Sequence, residues 1–294
     1  MEADYCTRMK KSVFFCMLFL SIWPHVVRSE HLAPPKTLSF RLQTIPPRAQ
    51  DAITGSEFAR QTAGLSDAAR QRAAVKELQR GNIPEFLRNM KPVQLSTALP
   101  GGKTIRAIIW VLPDYLAIGS DDDFLRIPLS YASATTVANQ FGCVLPTRKI
   151  VDAIYEQAAI HLRPQPLPPG PQMRSSAYCL NHQKKIEDQR AGYPLGELTS
   201  GHKKDVVLTN LLHRRSNRIA IYGWHWSNGN PIQPLSTVHG AAYADYSHGI
   251  RLVYQTVWID GTPRSLLEVL QDPNLGSVLT YESMISNPIA LMRK

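Results

Sequence analysis

GHKKDVVLTNLLHRRSNRIAIYGWHWSNGNPIQPLSTVHGAAYADYSHGIRLV, residues 201–253, is the stretch around which the rest of the chain is arranged. Two of its segments, 205–210 and 218–224, have the β-branched and aromatic content of buried strands. Five of the nine histidines fall inside it (His202, His213, His225, His239 and His248), as do two of the five tryptophans. Asp205 and Asp245 each stand close to a histidine. The polar residues crowd the segments after the second apolar run. A loop rich in His, Asp, Tyr and Ser, carried on a rigid sheet, is where binding and catalytic sites are built. The stretch predicts strands that end in a functional loop.

Upstream, residues 31–48 are turn-rich and contain prolines, and residues 30–50 are expected as an extended lead-in. Residues 54–80 have helical spacing with a break near Gly64, where Ser66 is a fair N-cap and Gly81 a fair stop. Residues 84–90 predict a short helix, and 93–99 with 104–112 predict a hairpin turning at Gly101 and Gly102. Short strands at 115–118 and 124–129 flank the acidic turn Asp121, Asp122, Asp123. That turn lacks the full ligand pattern of a calcium loop and reads as solvated. Two helices follow at 132–141 and 147–162, the second with Asp152, Tyr155 and Glu156 on its polar face. Residues 163–173, RPQPLPPGPQM, predict an extended crossing segment. A helix at 177–190, a strand at 251–259 and a helix near 265–270 complete the pattern. The fold class expected is α+β: a mainly antiparallel sheet with N-terminal and flanking helices, forming one domain over residues 51–294.

The 294-residue chain is 44% hydrophobic, enough for a globular core, and carries a formal net charge of +10. Lys and Arg are spread along the chain without a dense run or a recognisable nucleic-acid motif. The excess is read as attraction to anionic surfaces such as a cell wall, an acidic polysaccharide or lipid headgroups, and no nucleic-acid partner is expected. Arg8, Lys10 and Lys11 precede the apolar run 12–23, and Val27-Arg28-Ser29 offers a small-residue cleavage site. This three-part pattern predicts a secretory signal peptide over residues 1–29, with an uncleaved anchor as the alternative. The mature chain is then secreted or periplasmic, with no stable membrane span. Cys143 and Cys179 remain in it. They read as a disulfide, as inert buried thiols, or with Cys143 as a nucleophile ahead of the helix that begins near Thr147.

Three groupings compete for the site. His239, Asp245 and His248 lie within ten residues, and with His225 they supply the imidazole and carboxylate ligands of a catalytic zinc. Neither HExxH nor SxHxxGxAxD is present. Cys143 upstream of a histidine follows the chain order of papain-like and other secreted cell-wall cysteine amidases, with His239 or His248 as base and Asp245 as orienter. The third reading has the histidines purely structural, or Trp and Tyr stacking on sugar rings.

Val238-His239-Gly240 with Ser247-His248-Gly249-Ile250-Arg251-Leu252 resembles the His-Gly and Ser-His-Gly-Cys-Ile-Arg elements of the L,D-transpeptidases (the YkuD family). The nucleophilic cysteine of that pattern is missing between Gly249 and Ile250. More broadly, GHKKDVV, IAIYGWH, PIQPL and DYSHGIRLV resemble a family of uncharacterised secreted bacterial proteins over much of residues 114–259. This likeness implies no activity.

Together these readings predict a secreted hydrolase of a cell-envelope polymer, acting on amide bonds of peptidoglycan. His239 and His248 would serve as base or ligand, Asp245 as orienter or ligand, Arg251 as anion clamp, and Cys143 as nucleophile in the cysteine variant. His225, His202 and Asp205 are second choices, and a glycan-binding envelope protein without catalysis is the alternative.

Overall fold

In the computed structural model the helical spacing of residues 54–80 becomes two helices, Gly55–Thr62 and Asp67–Gln79. The Ser66 hydroxyl accepts the Ala69 N–H at 3.3 Å to start the second, and Gly81 leaves it with φ +78°. The structure describes residues 40–293, so the expected signal peptide at 1–29 and the first part of the lead-in lie outside the described residues. From residue 40 onward the lead-in is tied into the fold. Phe40–Arg41 pairs with Met90 and Asn89, and Leu42 and Ile45 are buried.

The architecture is α+β with mainly antiparallel sheets and several helices. The hairpin Asn89–Ala98 and Thr104–Val111 forms the centre of a seven-stranded sheet. The strand expected over 251–259 is divided into Val253–Tyr254 and Thr256–Ile259. Val253 pairs with Val111 and Val144, whereas Trp258 pairs with Ile108. The break falls at Gln255, whose backbone bonds Gly142 and Leu266 instead of a strand. The acidic turn does structural work. Asp123 accepts from Ser56 N–H and Oγ, and Asp121 from the Phe86 N–H, so two of the three carboxylates cap neighbouring segments.

A second sheet of four strands runs Pro231–Ser236, Ile221–His225, Lys204–Val206 and His248–Gly249, with only the last pair parallel. The segment 163–173 crosses without regular structure until the 3-10 turn Pro171–Arg174. It is fastened where Leu167 N–H donates to the Tyr246 hydroxyl at 2.7 Å. Among the described residues no helix is long and apolar enough to cross a membrane.

Candidate functional site

The second sheet sets the site. His248 stands beside Lys204, and Gly249 beside Asp205, in the parallel pair. Gly249 has to be glycine, because a Cβ there would lie 2.5 Å from the Tyr115 ring. The segment before it turns, as Gly240 O accepts from Tyr243 N–H and Asp245 O accepts from His248 N–H. The start of this turn is pinned to 217–219, with Ala241 N–H donating to Asn217 O and Ile219 N–H to His239 O. One strand over, a bulge lies between Ile221 and Gly223, and Trp224 takes φ +59°. A buried aromatic in that region costs about 1–3 kcal/mol and persists only when its surroundings hold it. Here Trp224 N–H donates to Lys203 O at 3.0 Å, and the Lys204 ammonium sits 4.9 Å from the indole centroid.

This backbone brings His239, Asp245 and His248 together. His239 is partly exposed and stacks on Tyr243, with centroids 4.2 Å apart and planes within 8°. The buried His248 ring lies 6.0 Å from His239 and 5.7 Å from Tyr243. Asp245 accepts from Ser247 N–H at 2.8 Å, Ser247 Oγ at 2.6 Å and the Tyr243 hydroxyl at 2.9 Å. Its carboxylate is therefore fixed by the loop and makes no hydrogen bond to either histidine ring. Both ring nitrogens of His248 are buried without a partner. Buried polar atoms are almost always satisfied, so this unsatisfied pair, matched only at His182 among the described residues, singles out His248, and unlike His182 it lies beside an accessible histidine.

Charge follows from burial. Burial drives His248 down to about 4, helped by Lys204, His239 and Lys203, with Asp245 opposing. Burial also lowers His239, again with Lys204 against its protonation and Asp245 for it. Both rings are then neutral near pH 7. Burial favours a protonated Asp245, but His248, Ser247 and Tyr243 outweigh it and keep the carboxylate ionised. The result is two neutral imidazoles, one cation and one fixed anion.

The other expected residues lie elsewhere. His225 Nε2 is 3.2 Å from Asp152, and its ring stacks on Tyr155 at 4.4 Å, against the helix Arg148–Gln157. Arg251 is fully buried and donates to the carbonyls of Leu112 and Thr199, at 2.9 and 2.7 Å. It also lies over the Tyr115 ring at 4.3 Å, so its guanidinium holds backbone. Cys143 lies in the buried strand Cys143–Val144, and its thiol donates to Phe141 O at 3.5 Å. Burial pushes that thiol up, away from the thiolate a nucleophile needs. Cys143 and Cys179 are both unbridged, which removes the disulfide. His202 Nε2 is 3.1 Å from Asp114, and Asp205 accepts the Tyr115 hydroxyl at 2.8 Å.

Among the described residues no group of three or more His, Cys, Asp or Glu could hold a metal ion. The zinc reading of His239, Asp245, His248 and His225 does not fit this arrangement, since His225 is engaged by Asp152 and the Asp245 oxygens are occupied. Asp114 and Arg126, the hub of a buried ion network, and the unpartnered His182 had no distinguishing sequence pattern. Lys204 was visible in the motif HKKD, but nothing in the sequence tells it apart from its buried neighbour Lys203. No known family profile matches the chain, nor does any curated protein or solved structure, so the reading of function rests on these residues.

Proposed function

We propose that the protein is an exported hydrolase of a cell-envelope polymer, cleaving amide bonds of the peptidoglycan class with His239 as general base. The observation that carries this reading is the partly exposed, neutral His239 backed by His248 with both nitrogens unpartnered. His239 takes a proton from water, and the hydroxide adds to the amide carbonyl. Lys204 supplies positive charge for the oxyanion that forms. The C–N bond then breaks, and the proton held by imidazolium passes to the departing amine. Tyr243 keeps the His239 ring in place by stacking, and Asp245 keeps Tyr243 in place by its hydrogen bond. The resemblance of VHG and SHGIRL to envelope-remodelling enzymes supports the substrate class, while the missing cysteine there agrees with direct attack by water.

The test is incubation of the purified chain with peptidoglycan, counting new amino groups. Release whose rate rises with pH, with a midpoint below histidine's ordinary 6.5, is expected from the lowered His239. No release at micromole-scale enzyme over a day, across pH 5–9, would reject amide hydrolysis. A glycan-binding role is the second reading. It is favoured by Trp226, 48% exposed at a hairpin turn where Tyr155 Oη donates to its carbonyl at 2.7 Å.

A further inference from the structure

Three arginines of the short segment 214–218 line one groove beside the site, which the segment closes by folding back on Thr237 and Val238. A groove of about 500 Å³ is lined by Arg214, Arg215, Ser216, Asn217, Arg218 and the segment Thr237–Val238. No carboxylate lines it, and none of the three arginines has an ion-pair partner among the described residues. Two guanidiniums are held by one terminal nitrogen each: Arg215 Nη1 donates to Thr237 Oγ1 at 2.8 Å, and Arg218 Nη1 to Val238 O at 2.6 Å. Their remaining N–H groups are uncommitted, so the donors are oriented before any ligand arrives. Among the described residues Arg214 makes no side-chain hydrogen bond. The groove wall adjoins the site along the chain, since Val238 precedes His239 and Arg218 bridges to Gly240.

We infer that this groove is an anion subsite that receives a phosphate ester carried by the molecule processed at His239. A carboxylate is satisfied by one guanidinium fork, whereas three guanidiniums with the Ser216 hydroxyl and Asn217 amide match the several oxygens of a phosphate. The groove spans only seven lining residues, too few for the extended row of phosphate contacts that gives nucleic-acid binding its strength. The inference rests on the proposed function for the fate of the ligand, but the binding step stands apart from it.

The experiment titrates the full chain with pyrophosphate, by calorimetry at constant ionic strength, with tricarballylate as a carboxylate control. Saturable pyrophosphate binding is expected, weakened about tenfold by Arg214→Gln and by Arg215→Gln, as loss of one charge-assisted hydrogen bond implies. Arg214→Gln removes no bond inside the protein, so its effect reads the ligand and not the fold. His239→Ala should bind pyrophosphate as the parent does. Absent saturation, equal affinity for tricarballylate, or unchanged affinity in both arginine variants would overturn the subsite. Capture by phosphatidylglycerol vesicles without pyrophosphate binding would overturn it as well, assigning the patch to a membrane surface. Tighter, arginine-dependent binding of single-stranded DNA than of pyrophosphate would likewise reject it. Pyrophosphate binding without amide release would reject the proposed function and leave the subsite intact. Amide release without pyrophosphate binding would do the reverse.

Discussion

His202 and His248 are both completely buried, and both are driven down to about 4 by that burial, yet they are held differently. His202 is attached by its Nε2 to a buried ion network, while its Nδ1 is without a partner. Arg126 holds Asp114 with two parallel bonds of 3.0 and 2.5 Å, and its other end reaches Glu187 at 2.7 Å and Gln183 at 3.1 Å. Tyr115 N–H and His202 complete the Asp114 carboxylate. Burial would push that carboxyl up, but Arg126 and His202 overcome it and hold Asp114 well below the carboxylate range. His248 lies in a cluster whose anion is satisfied while its own two ring nitrogens are not. Attachment to a charge-paired network, more than burial or charge, sets His202 apart from His248, and the proposed function assigns the chemistry to the unattached ring.

The contrast breaks first at Arg126. Arg126→Met leaves Asp114 buried without its counter-charge and should cost about 3–5 kcal/mol, read by urea unfolding. A loss under about 1 kcal/mol would mean that the closed network does not hold the fold together. Acid supplies the next test. An unfolded histidine binds its proton near pH 6.5, whereas folded His202 and His248 do so only near 4. The folded state therefore binds fewer protons in this window, and stability falls as pH drops from 6.5 to 4, by roughly 3 kcal/mol per histidine. Asp205 opposes this, because burial raises it to about 6, with Arg251 only partly compensating, and the folded state gains its proton first. Burial lowers His182 further still, which adds to the loss, so the net expected fall is more than about 3 kcal/mol, measured by unfolding at a series of pH values. Stability that is flat or rising on acidification to pH 4 would contradict neutral buried histidines.

Smaller changes sharpen the comparison. Tyr243→Phe removes a hydrogen bond to an ionised carboxylate and should cost about 1.5 kcal/mol, while lowering turnover by loosening the surface on which His239 stacks. An unchanged rate would show that the stack is incidental. Cys143→Ser should leave turnover within about twofold and stability within about 2 kcal/mol, since a buried thiol packs as a small hydrophobe. A collapse of turnover at retained fold would restore the cysteine mechanism.

Much of this organisation was legible in the sequence, and the reasons for what was not are physical. Ser66 and Thr147 announce helix starts because their hydroxyls have one local partner, and the structure pairs them with Ala69 and Ile150. The polar loop after the second apolar run was readable from its crowding of His, Asp, Tyr and Ser, and the structure turns there between Gly240 and His248. The closed network was not readable. Asp114, Arg126 and Glu187 are joined across intervals of 12 and 61 residues, and no local pattern records such pairing. Arg251 looked like an anion clamp because an arginine after a Ser-His-Gly motif looks functional, and burial against Tyr115 gives it two carbonyls instead. His225 looked like a ligand, but Asp152, one turn into a helix some seventy residues upstream, holds it. The arginine groove hid in HRRSNR, residues 213–218, whose meaning depends on which way the loop folds back on Thr237.

The central claim is that the open cluster does the chemistry and the closed one does not. The most direct test is the rate of amino-group release from peptidoglycan by His239→Ala, measured beside its unfolding free energy. The account predicts a fall of about 100-fold or more in kcat/KM, the usual worth of a general base, with stability changed by no more than about 0.5 kcal/mol. An unchanged rate in that variant, at unchanged stability, would contradict it.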